Sequence, residues 1–162
     1  MMRADGFPGD VFRCDVASDR LFSGLTVKAQ RDLAHIQTPA DFPENTLLFR
    51  EGDPSEGILL VASGAVRLSI CSHKGQQLIL RIAGPGEILG LSATVSGKTH
   101  EATAETTTRS QLFFIKRTDF LRYLKEHTDA CLHVVEFLSN DVHQAYHRVR
   151  ALGLARMRQT HS

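Results

Sequence analysis

AGPGEILGLSATVSGKTHEATAETTT, residues 83–108, is the stretch on which the reading of the fold turns. It opens on a Gly84-Pro85-Gly86 turn and runs through the apolar Ile88, Leu89 and Leu91. It then loops at Ser96-Gly97-Lys98 and leaves through a threonine-rich segment. Strand, glycine, one helical turn, loop and strand, in that order, can hold an anion on backbone N–H groups at a helix start. The same order also serves as a plain connection between strands of an all-β domain. The flanking sequence decides between the two.

On both sides the apolar residues recur with period two. Leu47-Leu48-Phe49 runs into the turn signal Arg50-Glu51-Gly52-Asp53-Pro54, and Ile58 to Val61 ends at Ser63-Gly64. Val66, Leu68 and Ile70 alternate with Arg67 and Ser69, as a half-buried strand requires. His73-Lys74-Gly75-Gln76 makes a hairpin loop before Leu78, Leu80 and Ile82, and Ala102–Thr108 and Gln111–Ile115 give two more strands. Short strands at this even spacing predict a mainly β fold with helices (α+β), built on an antiparallel β-roll or jelly roll.

Helical periods flank the strands. Ser18 and Thr26 are candidate N-caps of two pieces ending near His35, after which Pro39 and Pro43 close off helix. Thr118 is a candidate N-cap ahead of Phe120, Leu121 and Leu124. Asp129 then opens a run to about Arg156 in which Cys131, Val135, Leu138, Val142, Ala145, Val149 and Leu152 follow a strict heptad spacing. β-Branched residues at several of these positions favour a two-stranded parallel coil, so a homodimer is expected through this seam. Leu132, Val134 and Phe137 cover another flank, expected to pack on the sheet. The expected division is a leader over 1–17, a roll domain over 18–126, a dimerisation helix over 127–156 and a tail over 157–162.

Composition narrows the function classes. The hydrophobic content of 42% supports a real core, and a net charge of +1 gives no global field for nucleic acid or membrane. No apolar run approaches the roughly 20 residues needed to span a bilayer, and residues 1–14 lack a signal-peptide apolar region. Cys14, Cys71 and Cys131 are far apart, which points to reduced thiols and a cytoplasmic setting.

Several motifs fall in a telling order: F-x-E-G-D-P-S-E-G-I at Phe49–Ile58, V-x-S-G-x-V-R-L at Val61–Leu68, P-G-E-I-L-G at Pro85–Gly90, and I-K-R-T-D-F at Ile115–Phe120 before the long helix. From about Leu21 to Leu154 the chain resembles the sensor half of the Crp/Fnr superfamily of bacterial transcription regulators, whose fold is the cyclic-nucleotide-binding β-roll. The resemblance implies an effector-sensing and dimerisation module. It places the ligand cassette at Gly90, Leu91, Ser92, Lys98, His100 and Glu101, with Tyr146 of the long helix beside the base.

The cassette departs from the cyclic-AMP binders of that family. They carry Gly-Glu at its start, for the ribose hydroxyl, and Arg-Ser at its end, for the cyclic phosphate. Here Leu91 follows Gly90, and His100-Glu101 stands at the Arg-Ser place. A phosphodiester calls for a bidentate guanidinium and neutral donors. A buried Glu101 carboxylate would repel it, and His100, with a reference pKa of about 6.5, is mostly neutral at pH 7. Lys98 lies one or two residues off register. Cyclic-AMP binding in the usual way is therefore not expected.

Other chemistries find no support. Cys14 stands alone in the leader, against an iron–sulfur cluster, and His73, His100 and Cys71 sit in no haem motif. His143 and His147 have the i, i+4 spacing of a metal clamp but no third ligand, and read as a solvated pair. A metal enzyme on a cupin-like roll needs His-x-His with a following carboxylate on adjacent strands, which is absent, so no enzyme, metal or cofactor is expected. Arg148, Arg150, Arg156 and Arg158 suit a helix C-terminus. In the resemblance, DNA is reached only through a winged helix-turn-helix beyond the long helix. The sequence reaches Ser162 without one, so DNA reading is not expected of it. The alternative function is a stand-alone module that regulates a partner protein.

Overall fold

The computed structural model describes residues 24–161. The leader, Cys14, Ser18, the turn carrying Leu21 and Phe22, and Ser162 lie outside the described residues. So do the side chains of Ala145, Val149 and Leu152 in the expected seam.

A first helix, α1 (Val27–His35), starts where Thr26 accepts a hydrogen bond from the Ala29 N–H at 3.1 Å. Eight strands follow: β1 (Thr38–Phe42), β2 (Leu47–Phe49), β3 (Gly57–Ser63), β4 (Val66–Cys71), β5 (Gln77–Ala83), β6 (Ile88–Leu89), β7 (Thr103–Thr106) and β8 (Ser110–Lys116). A short helix, α2 (Leu91–Ser96), interrupts them between β6 and β7. Two helices, α3 (Arg117–Glu126) and α4 (Thr128–His161), close the chain. The strands form two antiparallel four-stranded sheets, ordered β1-β8-β3-β6 and β2-β7-β4-β5. This is the β-roll anticipated above.

The sheets enclose one core and the helices a second. Leu59, Val61, Val66, Ala83, Leu89, Ala104 and Leu112 fill the space between the sheets. Ile58, Leu60, Phe113 and Ile115 point the other way, onto Ala29 and Leu33 of α1, Phe120 and Tyr123 of α3, and Ala130 and Val134 of α4. β3 thus alternates between two apolar surroundings, which is why Ile58–Val61 reads as an unbroken apolar run. At the start of β3, a Cβ on Gly57 would lie 2.1 Å from the Ile115 carbonyl oxygen, so only glycine permits the approach of β3 to β8.

Two sequence expectations change. Pro39 and Pro43 do end α1, but Thr38–Phe42 between them is a strand, paired with β8 in the register Thr38↔Phe114 to Phe42↔Ser110. Proline lacks the N–H of a ladder and is confined to edges, and β1 is an edge. Thr118 is not the cap of α3. The helix begins one residue earlier, with Lys116 in the N-cap position and no side-chain cap bond.

Long-range hydrogen bonds fix the roll's ends. Thr106, fully buried, donates through its hydroxyl to the Pro43 carbonyl at 2.7 Å and accepts from the Thr46 N–H at 2.8 Å. Thr106→Val keeps the shape and strands both partners, and should lower unfolding free energy by about 1–3 kcal/mol in a denaturant titration. On the helical side, the Tyr123 hydroxyl donates to the Ala29 carbonyl at 2.7 Å, and His127 Nε2 lies 2.9 Å from Asp32. Both tie α1 to the α3–α4 junction.

α4 divides by face. Ala130 and Val134 are buried, and Phe137 and Leu138 pack against the helix-side core. Leu132, Val135, Val142 and Tyr146 are all more than half exposed. Leu132 is expected on the sheet flank with Val134 and Phe137, but it faces outward: at 100° per residue it lies on the opposite side of the helix from Ala130, Val134 and Phe137. Leu138, expected in the seam, is partly buried and also touches its own core.

Candidate functional site

The cassette begins where β6 meets α2. Gly90 adopts φ 81°, and a Cβ there would meet His100 Cε1 at 3.0 Å and the Gly57 carbonyl oxygen at 3.3 Å. Glycine is required on both counts. Thr94, fully buried in α2, bonds through its hydroxyl to the Gly90 carbonyl at 2.6 Å and lies 2.6 Å from the Ser55 hydroxyl. Arg117 Nε donates to the Thr94 carbonyl at 2.8 Å. This bond ties the Arg117 guanidinium to the C-terminal half of α2, beside Gly97.

His100 is the residue the fold treats most distinctly. Its N–H donates to the Asp53 carbonyl and its carbonyl accepts from the Gly52 N–H, both at 2.9 Å, fastening it to the turn after β2. Its ring is 5% exposed and stacks on Phe49 with centroids 3.7 Å apart and planes 12° apart. Burial pushes the imidazole below its ordinary pKa, against the opposing pull of the Asp53, Glu101 and Glu56 carboxylates. His100 is thus a buried, stacked imidazole whose neutral form is favoured.

The sign of this effect is testable. The folded state holds fewer protons on His100 than the unfolded state below pH 6.5, so His100 withdraws stability as pH falls through that value. His100→Gln should flatten the fall in melting temperature between pH 7.5 and pH 5.5, and an unchanged slope would place the ring in solvent.

The other candidate residues are scattered. Leu91 is 4% exposed and belongs to the helix-side core with Ile88, Phe113 and Phe120. Ser92, Lys98 and Glu101 are exposed, and Tyr146 is 60% exposed on α4. Of the set, the structure brings together only Gly90 and His100. The expectation of a buried Glu101 carboxylate is corrected: the strand begins at Thr103, and the side chain of Glu101 stands in solvent.

Phe49 and Thr94 were not singled out as site residues by the sequence. Phe49 had a signal, since it heads the turn motif that His100 docks on. Thr94 had none, because its role is the bond back to Gly90. His143 and His147 stack at 6.0 Å on the exposed surface of α4, and no group of three metal-ligating side chains occurs among the described residues. Among those residues no helix is long and apolar enough to cross a membrane.

Comparison with known proteins fits this architecture. The family model for the cyclic nucleotide-binding domain matches residues 39–127. A cyclic AMP receptor protein of Thermus thermophilus is 31% identical over 84 residues, 52% of this chain and 39% of that protein. A CRP-like cAMP-activated global transcriptional regulator of Mycobacterium tuberculosis is 32% identical over 70 residues, 43% of this chain and 31% of that protein. The chain thus spans only 39% and 31% of the length of these curated relatives. Among solved structures, the Thermus thermophilus catabolite activator protein superposes with a TM-score of 0.75 at 27% identity, covering 82% of this chain and 62% of that one. The sensor domain of the transcriptional regulator DNR from Pseudomonas aeruginosa shares the fold, with a TM-score of 0.68 at 23% identity over 81% of this chain and 89% of that one.

Proposed function

Because the chain belongs to the cyclic nucleotide-binding domain family and is related to Crp/Fnr-type regulators, we propose that it is the effector-sensing and dimerisation module of such a regulator, with a cassette that does not take cyclic AMP in the usual way. The observation that carries this reading is His100, a buried, stacked imidazole at the phosphate position. With Leu91 turned into the core and Lys98 and Glu101 in solvent, the cassette offers neither a ribose acceptor nor a phosphate cation. It acts by binding and transmission, not by catalysis, in the cytoplasm.

Transmission runs through α4. Its inner face is fixed on the roll by Ala130 and Val134, and its outer apolar face, with Val135 and Val142, continues the heptad seam toward a second copy. A ligand that prefers one arrangement of roll and helix biases the coil, and a helix-turn-helix attached to it turns accordingly.

The test is a thermal-shift panel with cyclic AMP and cyclic GMP at millimolar concentration. A ligand at 100 times its Kd adds about 2.7 kcal/mol. A flat response is expected, and a clear shift with either nucleotide would overturn the reading of His100. The double variant His100→Arg with Glu101→Ser supplies a guanidinium and removes a nearby carboxylate, and should bind inorganic phosphate or cyclic AMP more tightly than wild type while still lacking a ribose acceptor.

A further inference from the structure

A second opening lies on the other side of His100, between the edge strands β1 and β2. It is a cavity of about 480 Å³ walled by Phe42, Phe49, Phe114 and Leu59, with Asp53, Glu56 and His100 as its charged or titratable lining. That volume falls within the range of about 300–1,000 Å³ typical of small-molecule sites. It shares His100 and Phe49 with the site described above, while Gly90, Leu91, Ser92, Lys98 and Glu101 do not line it.

Three features define its chemistry. His100 lines the cavity, and neither of its ring nitrogens has a hydrogen-bond partner among the described residues. Neither belongs to the fully buried unpartnered polar atoms, so each is open to water or to a ligand in the cavity. The Asp53 and Glu56 carboxylates are exposed at the cavity, act on the His100 ring through space, and make no side-chain hydrogen bond or ion pair among those residues. No lysine or arginine is in the lining. An anion would meet only repulsion there. A cation meets two carboxylates, an aromatic lining, and an imidazole with no hydrogen-bond partner among those residues.

We propose that this cavity binds an organic cation, an apolar body carrying an amine, with the body among Phe42, Phe49 and Phe114 and the ammonium directed to Asp53, Glu56 and His100. The inference does not rest on the regulatory reading and survives its failure.

Three probes of one shape test it on the full chain by isothermal titration at low salt: phenethylamine, 2-phenylethanol and 3-phenylpropanoate. The amine should bind about tenfold more tightly than the alcohol, and the carboxylate least. Asp53→Asn with Glu56→Gln, both at exposed positions, should bring the amine down to the affinity of the alcohol while leaving the alcohol unchanged. Methyl shifts on binding should centre on Leu48 and Leu59. Equal affinity of amine and alcohol, tighter binding of the carboxylate, no binding of the amine at millimolar concentration, or shifts centred on Leu132 and Val135 of α4 would each overturn the proposal.

Discussion

Leu91→Glu should cost the chain about 3–5 kcal/mol of stability and create no nucleotide site. By family pattern the residue after Gly90 is where a ribose-binding glutamate would be engineered. Leu91, however, is 4% exposed among Ile88, Phe113, Ile115 and Phe120, with no described partner for a carboxylate in that cluster. An ionised group there is uncompensated, and a protonated one still strands its hydroxyl. Denaturant unfolding of Leu91→Glu beside Leu91→Ala separates charge from volume. The alanine variant should lose about 2–5 kcal/mol through its cavity alone. A glutamate variant as stable as wild type, and newly responsive to cyclic AMP, would mean that position 91 faces the ligand.

Val135→Glu combined with Val142→Glu should convert a dimer to a monomer at micromolar concentration. The side chains are 58% and 69% exposed on the isolated chain, so the roll itself has little to lose. In a two-stranded coil each would be buried against its counterpart, and four unpaired carboxylates would raise the dissociation constant by about a thousandfold or more. Sedimentation velocity reads the mass, and the melting temperature at low protein concentration checks that the roll persists. A wild-type chain already monomeric at such concentration would remove the seam from the function.

The strands were legible because their alternation is local. Val66, Leu68 and Ile70, or Leu78, Leu80 and Ile82, carry their period whatever lies around them. β1 was not legible, since Pro39 reads as a breaker and becomes tolerable only once β1 is known to be an edge. The cassette was recognisable by Gly90 and the order of its motifs, yet the directions of its side chains were not. Leu91 and Glu101 could each have faced the pocket. Their placement depends on α2 resting against β3 and α3, and on the isolated bridge between Pro54 and Thr99 that precedes His100, contacts distant in sequence. The heptad spacing on α4 was visible, but the boundary between its core-facing and outward residues was not. Leu138 and Leu132 lie on different faces of α4, and which face meets the roll is set by the angle at which the helix docks.

That angle has a mechanical consequence. The last residue of α4 named in contact with the helix-side core is Leu138, and the helix runs on to His161. At 1.5 Å per residue the remainder projects roughly 35 Å. It is a lever with its fulcrum at Ala130 and Val134. From that fulcrum to His161 the arm is about 40–46 Å, so a tilt of about 10° carries the far end about 7–8 Å. A small rearrangement of the side chains under Ala130 and Val134 therefore becomes, at the tip, a displacement of more than one helical turn.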